Sequence, residues 1–197
     1  MRFAVLSSSR GTTFQAILDR IADRTLTAQC AGLVADRKDR GCVVKAKVAG
    51  IPVVVVEKRE GESRETYDER LHEAFLTLGS IDVIAAIGWM FVLSPAFIRK
   101  WKNRILNVHP ALLPKYGGSG MHGAHVHEAV LKAHEKESGM TIHLMDEGVD
   151  TGKVLLQKTC PVLPGDTVDS LKVRVQELEK EWYPKVLEMI EKGEIKI

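Results

Sequence analysis

The chain has 197 residues, 45% hydrophobic and 27% charged, long enough for one domain with a substantial core. A net charge of +2 without a long Lys/Arg run argues against a nucleic-acid partner, and no segment approaches the roughly 18 apolar residues of a membrane span. Three scattered cysteines, Cys30, Cys42 and Cys160, form neither a C-x-x-C pattern nor a disulfide framework, which fits a reducing, cytoplasmic setting.

In chain order, the apolar run FAVLS (3–7) predicts a first strand, followed by a helix with Phe14, Ile17, Leu18 and Ile21 on one face. CAGLVA (30–35), PVVVVE (52–57) and DVIAAIG (82–88) continue the strands, and Tyr67, Leu71 and Phe75 mark a helix after Arg64. Strands alternating with helices predict βαβ units, and strands without polar alternation predict a largely parallel sheet covered on both faces. The class is therefore α/β, with a Rossmann-like first half. ILNVHP (105–110) begins as a buried strand, and a glycine-rich loop, KYGGSGMHGAHVH (115–127), leads into the helical EAVLKAH (128–134). MTIHLMD (140–146) and KVLLQKTCPV (153–162) are separated by only six residues, too few for a crossover helix, so these two strands should be antiparallel. Val168, Leu171, Val175, Leu178, Trp182 and Val186 predict a long closing helix from about Thr167. With no linker or repeat visible, residues 1–197 read as one domain.

Ligands of open parallel sheets bind beyond the carboxyl ends of the strands, and four such loops carry unusual residues. In SSSRGTTFQ (7–15), the free N–H groups of a helix start near Thr12 suit a phosphate, with Arg10 adding charge; Thr12 and Gln15 also have capping-box spacing. In IGWMFVLSPAFI (87–98), core packing is the commoner explanation of the apolar residues, but such a loop also offers a wall for a flat aromatic ligand. Asn107 and His109 stand two apart at a strand end, hence on one face, where an amide and an imidazole suit catalysis better than burial. MDEGVDTG (145–152) adds Asp146, Glu147 and Asp150, residues that also form ordinary turns. His122, His125 and His127 have spacing open to a metal, but the surrounding glycines favour a loop instead, and no metal is expected.

NVHPALLPKY (107–116), followed by GMTIHLMDEGVDTGKVLLQ (139–157), combines N-x-H-P-x-L-L-P with a downstream D-x-G-x-x-x-x-Q. In this combination the sequence resembles the folate-dependent formyltransferases, in particular those acting on glycinamide ribonucleotide in purine synthesis. The likeness extends through SRETYD (63–68), MFVLSPAF (90–97) and RVQELEKEWYP (174–184). It implies a formyltransferase fold, with a nucleotide-binding half at about 1–100 and a catalytic, folate-binding half at about 101–197. The implied reaction passes the formyl group of 10-formyltetrahydrofolate, a cosubstrate, to the amine of glycinamide ribonucleotide. Asn107 would donate to the oxyanion, His109 would serve as general acid for the leaving folate nitrogen, and Asp150 would orient the imidazole and raise its pKa. Gly11, Thr12 and Thr13 would meet the substrate phosphate, and Gln176 and Glu179 its ribose and glycinamide end. Met90, Phe91, Val92 and Leu93, with Asp146, Glu147, Gly148, Val149 and Asp150, would form the pterin pocket, and Arg64 would meet the acidic folate tail.

Three departures from the family pattern stand out. Gly11-Thr12-Thr13 replaces the usual G-S-N, Phe91 stands where many members carry Arg, and GGSGMHG (117–123) lengthens the loop before the His-x-His and offers itself as a lid. The resemblance leaves a monomer and a homodimer equally open. Rival readings are a hydrolase that gives the formyl group to water and a folate- or nucleotide-binding protein without catalysis. The hydrolase relatives carry a preceding domain, which a first strand beginning at Arg2 disfavours, and the initiator-tRNA formyltransferases continue into a further domain not expected here.

Overall fold

A computed structural model describes residues 1–197. The elements run β1 (Arg2–Ser7), α1 (Thr12–Ala22), β2 (Gln29–Ala35), α2 (Gly41–Val48), β3 (Val53–Val55), α3 (Arg64–Thr77), β4 (Val83–Ala86), α4 (Pro95–Lys100), β5 (Ile105–His109), α5 (Ala124–Lys132), β6 (Glu137–Leu144), β7 (Val154–Pro161) and α6 (Val168–Glu191). They form one seven-stranded sheet in the order β3-β2-β1-β4-β5-β6-β7. The first five strands are parallel; β6 is antiparallel to β5 and β7 antiparallel to β6. The predicted β6–β7 pairing is therefore present, and the reversal begins one strand earlier, at β5–β6.

The continuously apolar strands reflect burial on both faces. Phe3, Val5, Ala85 and Leu106 join one core cluster with side chains of α1, α2 and α6; Ala4, Leu6, Ile84 and Ile105 join a second with α3 and α4. The closing helix is capped by Thr167, whose hydroxyl accepts from the Ser170 N–H while Ser170 accepts from the Thr167 N–H. Its Leu171, Val175 and Val186 are buried as the spacing predicts, together with Tyr183, whose hydroxyl donates to the Leu106 carbonyl at 2.9 Å. Trp182 stays at the rim, with the Lys158 and Lys185 ammoniums over its ring.

The structure corrects three local readings. Thr12 and Gln15 do not form a capping box: Gly11 is the N-cap of α1 at φ 73°, no side chain caps the helix, and Gln15 instead bonds Asp19 and Lys45. The frame is shifted because only glycine enters this left-handed turn without strain, and a β-carbon there would lie 2.9 Å from Cys42 Cα. The third strand is shorter than its apolar run, because β3 is an edge with β2 as its one partner. The fifth helix begins at Ala124, four residues before the expected segment, and draws His125 and His127 into its first turn.

Candidate functional site

The order of the strands reverses direction at β1: β2 and β3 extend to one side, β4 and β5 to the other. Beyond the carboxyl ends of β1 and β4 lies the crevice where such sheets take ligands. The β1 loop brings Ser8, Ser9 and Gly11, and the β4 loop brings Gly88 to Val92; the two are tied where the Ser8 hydroxyl donates to the Gly88 carbonyl and accepts from the Met90 N–H at 3.0 Å. Thr13 lies under the first turn of α1. Its buried hydroxyl donates to Glu179 of α6 at 3.1 Å, so two residues expected at the substrate meet each other. Desolvation outweighs this bond and the nearby Lys180, pushing the Glu179 carboxyl up to about 7. Thr12 and Arg10 are exposed beside it, and Gln176 is half-buried one turn before Glu179.

Met90, Phe91 and Val92 are exposed at 51%, 37% and 52%, an apolar ledge on a loop, whereas the Leu93 side chain is in the core. Phe91 stands edge-on to Tyr67, which stacks on Trp89. Arg64, the first residue of α3, is solvated and lies weakly against Glu65 at 3.4 Å.

The central group stands on β5 and its antiparallel neighbours. Asn107 and His109 share the face of β5 that Ile105 also presents, and register sets His143 opposite Asn107 and Thr141 opposite His109. His109 is 4% exposed. Its Nδ1 lies 3.3 Å from Asp150 Oδ2, and its Nε2 lies 2.7 Å from the Tyr116 carbonyl oxygen. The Asn107 amide meets His143 Nε2 at 3.1 Å, while Asp150 Oδ1 lies 3.6 Å from that nitrogen. Asp150 sits in a left-handed conformation at φ 58°, costly for a non-glycine residue, and accepts from the Gly118 N–H at 3.1 Å. Asp146 shapes the same turn by accepting from the Gly148 N–H and the Thr151 hydroxyl, Glu147 pairs with Arg99 at 2.9 Å, and Val149 is partly exposed.

Desolvation pulls the His109 pKa below its ordinary value; Asp150 and the Tyr116 carbonyl act upward without reversing it. Asp150 thus acts upward on the imidazole as expected, and it is burial that leaves the net value low. Burial pushes the Asp150 carboxyl up, but the neighbouring donors, the Gly118 N–H among them, outweigh it, and its pKa is lowered.

Sequence reasoning missed His143, Thr141 and the backbone of residues 116–118. Thr141 donates to the Ala111 carbonyl at 2.6 Å and accepts from the Leu113 N–H, and Gln157 donates to both Thr141 and the Leu113 carbonyl. These bonds pin the segment after His109 across the sheet and account for the terminal Gln of the D-x-G-x-x-x-x-Q pattern. Of the three histidines of the glycine-rich region, His122 and His125 pack edge-to-face with ring centroids 5.7 Å apart, His125 also facing Glu128 at 3.5 Å, while His127 is 2% exposed and interior, apart from them. No group of three metal-ligating side chains forms elsewhere.

A doubly wound sheet with a buried His–Asp pair and an amide at a strand end is the architecture of α/β proteins that take small molecules beyond the carboxyl ends of their strands. Residues 1–187 match the family model described as formyl transferase, and the chain belongs to that family. It is 34% identical over 198 residues to phosphoribosylglycinamide formyltransferase of Escherichia coli (strain K12), covering 100% of this chain and 90% of that protein. It is 39% identical over 194 residues to the trifunctional purine biosynthetic protein adenosine-3 of Drosophila melanogaster, of which it spans 14%. The crystal structure of glycinamide ribonucleotide transformylase 1 from Symbiobacterium toebii superposes with a TM-score of 0.92 at 32% identity, covering 100% of this chain and 90% of that one. No helix is long and apolar enough to cross a membrane.

Proposed function

We propose that the chain transfers the formyl group of 10-formyltetrahydrofolate to the amine of glycinamide ribonucleotide, acting as one catalytic unit whose first half holds the nucleotide and second half the folate. The observation that carries this reading is the contact between His109 and Asp150 beside Asn107. Attack of the amine nitrogen on the formyl carbon makes a tetrahedral oxyanion, which the Asn107 N–H stabilises; a single such donor is typically worth about 3 kcal/mol. The attacking nitrogen then loses a proton and the departing folate nitrogen gains one. His109, whose Nε2 hydrogen is held against the Tyr116 carbonyl, serves as general acid to the leaving nitrogen, the amine's proton replacing the one it gives, while Asp150 steadies the ring from Nδ1. No protein nucleophile is needed.

In this reading the α1 N-terminus at Gly11 and Thr12 receives the phosphate, supported by the free N–H groups of an uncapped helix start. Gln176 and Glu179 face the ribose and amine end, and the 90–92 ledge with the 146–150 turn receives the pterin. Arg64, exposed at the start of α3, is available to an acidic tail. The test incubates purified protein with both substrates and follows tetrahydrofolate release and formylated nucleotide by mass spectrometry. His109→Ala and Asp150→Asn should each lower kcat by roughly 10²–10⁴ with unchanged circular dichroism. Formate release without formylated nucleotide would replace the reading by the hydrolase, binding without turnover by the non-catalytic protein.

A further inference from the structure

His143 is 1% exposed and touches both Asn107 and Asp150, yet no step above uses it. Its Nδ1 lies 3.0 Å from the Leu144 carbonyl oxygen, which can only accept, so Nδ1 carries the hydrogen and the neutral ring presents a bare lone pair at Nε2. Two groups compete for that edge. The Asn107 amide, at 3.1 Å, requires the lone pair; Asp150 Oδ1, at 3.6 Å, would require a proton there and is beyond ordinary hydrogen-bonding distance. The shorter contact therefore fixes both the ring's state and the amide's orientation, since the amide oxygen would face a lone pair if Asn107 were turned over.

We infer that neutral His143 is a positioning residue for the formyl-transfer site, accepting one Nδ2 hydrogen of Asn107 so that the second is held ready for the oxyanion. The antiparallel register supports this assignment independently of the side-chain distances, because Asn107 and His143 are paired across β5 and β6 and must share a face. An asparagine amide free to rotate would offer either its N–H or its oxygen to a developing negative charge, and the second orientation repels it. A ring protonated at Nε2 would turn to Asp150 and release Asn107, so the two catalytic groups cannot both hold this histidine.

The kinetic arm of the test rests on the formyl-transfer reading; the spectroscopic arm does not. In protein labelled with ¹⁵N-histidine, the His143 resonances, assigned by their loss in His143→Gln, should show an Nδ1–H tautomer with an unprotonated Nε2 at neutral pH, and Asn107→Ala should move the Nε2 shift toward that of an unbonded lone pair. An Nε2–H tautomer, or no response to Asn107→Ala, overturns the inference. Among variants, His143→Leu should lower kcat about 100-fold with little change in either KM, and His143→Gln, whose side-chain oxygen can accept from Asn107, should recover to within about tenfold of wild type. In an Asn107→Ala background His143→Leu should cost no more than about threefold. Fully additive losses would mean that His143 acts elsewhere, and overturn the assignment. Should His143→Leu not fold, His143→Gln and the tautomer decide, and loss in His143→Gln equal to that in Asn107→Ala counts against the proposal.

Discussion

Glu179→Gln separates what the fold tolerates from what the site requires. In the native state the Glu179 carboxyl titrates at about 7, displaced from 4.5 chiefly by desolvation, with the Thr13 hydroxyl as its hydrogen-bond donor. A carboxyl raised in the folded state contributes stability that is complete below the unfolded value and lost as pH rises through the folded one, because the unfolded chain releases its proton first. Integrating between 4.5 and about 7 gives a loss of roughly 1 kcal/mol at pH 5 and roughly 3 kcal/mol at pH 8. Gln carries no proton to lose and keeps an oxygen for Thr13, so the stability of the variant relative to wild type should increase by roughly 2–2.5 kcal/mol from pH 5 to pH 8. Urea unfolding at the two pH values measures this directly. If the wild-type and variant profiles run parallel to within about 0.5 kcal/mol, the carboxyl is not desolvated as described and the reasoning fails. The same substitution should weaken nucleotide binding if Glu179 meets a cationic amine, a gain in stability matched by a loss of function.

Gly11→Ala should cost about 1–2 kcal/mol for its left-handed φ of 73° alone. The new methyl would also press on Cys42 Cα and displace the α1 N-terminus, so chemical denaturation should register lower stability and titration calorimetry a weaker phosphate-bearing ligand. His127 has its Nδ1 buried without a partner and its pKa lowered to about 4, mainly by desolvation and secondarily by Lys172 and His109. Wild-type stability should therefore be intact above about 6.5 and fall by up to roughly 3 kcal/mol as pH drops toward 4, because the unfolded ring takes the proton first; His127→Leu should flatten that limb in thermal unfolding.

The sheet was legible because its signal is local. Apolar runs of strand length, helical spacing at Phe14, Ile17 and Leu18, and the short 147–152 link required no knowledge of distant partners, and all appear in the fold. What stayed hidden depends on register or on backbone. His143 lies in a stretch with two-residue alternation, Met140, Ile142 and Leu144 on one face and Thr141 and His143 on the other, which already signals a polar face on β6. That this face adjoins Asn107 follows only from the β5–β6 pairing, which one sequence does not specify. Thr13 and Glu179, 166 residues apart, were each assigned to substrate by resemblance, yet nothing local indicates that they bond each other. The Tyr116 carbonyl and Gly118 N–H that touch His109 and Asp150 are main-chain groups present in every residue, so composition carries no trace of them.

The placement of the chemistry follows from where the sheet stops being parallel. Among β1 to β4 each crossover adds a helix, and both faces are occupied by apolar packing. From β5 onward the connections change: α5 packs with α6, α6 packs on β6 and β7, and the β6–β7 link is a turn without a helix. The opposite face of β5, β6 and β7 is therefore dressed by loop residues 111–118 and by the turn bearing Asp150, held by Thr141 and Gln157. Side chains on that face need not be apolar, because loop backbone supplies hydrogen-bond partners that a helix packed on its side chains would not. Asn107, His109, Thr141 and His143 occupy that face, covered by loop and turn rather than by a packed helix. Antiparallel strands at the end of a parallel sheet thus provide one apolar face for α6 and one polar face, where the proposed proton transfer would occur, within the same eight residues of β6.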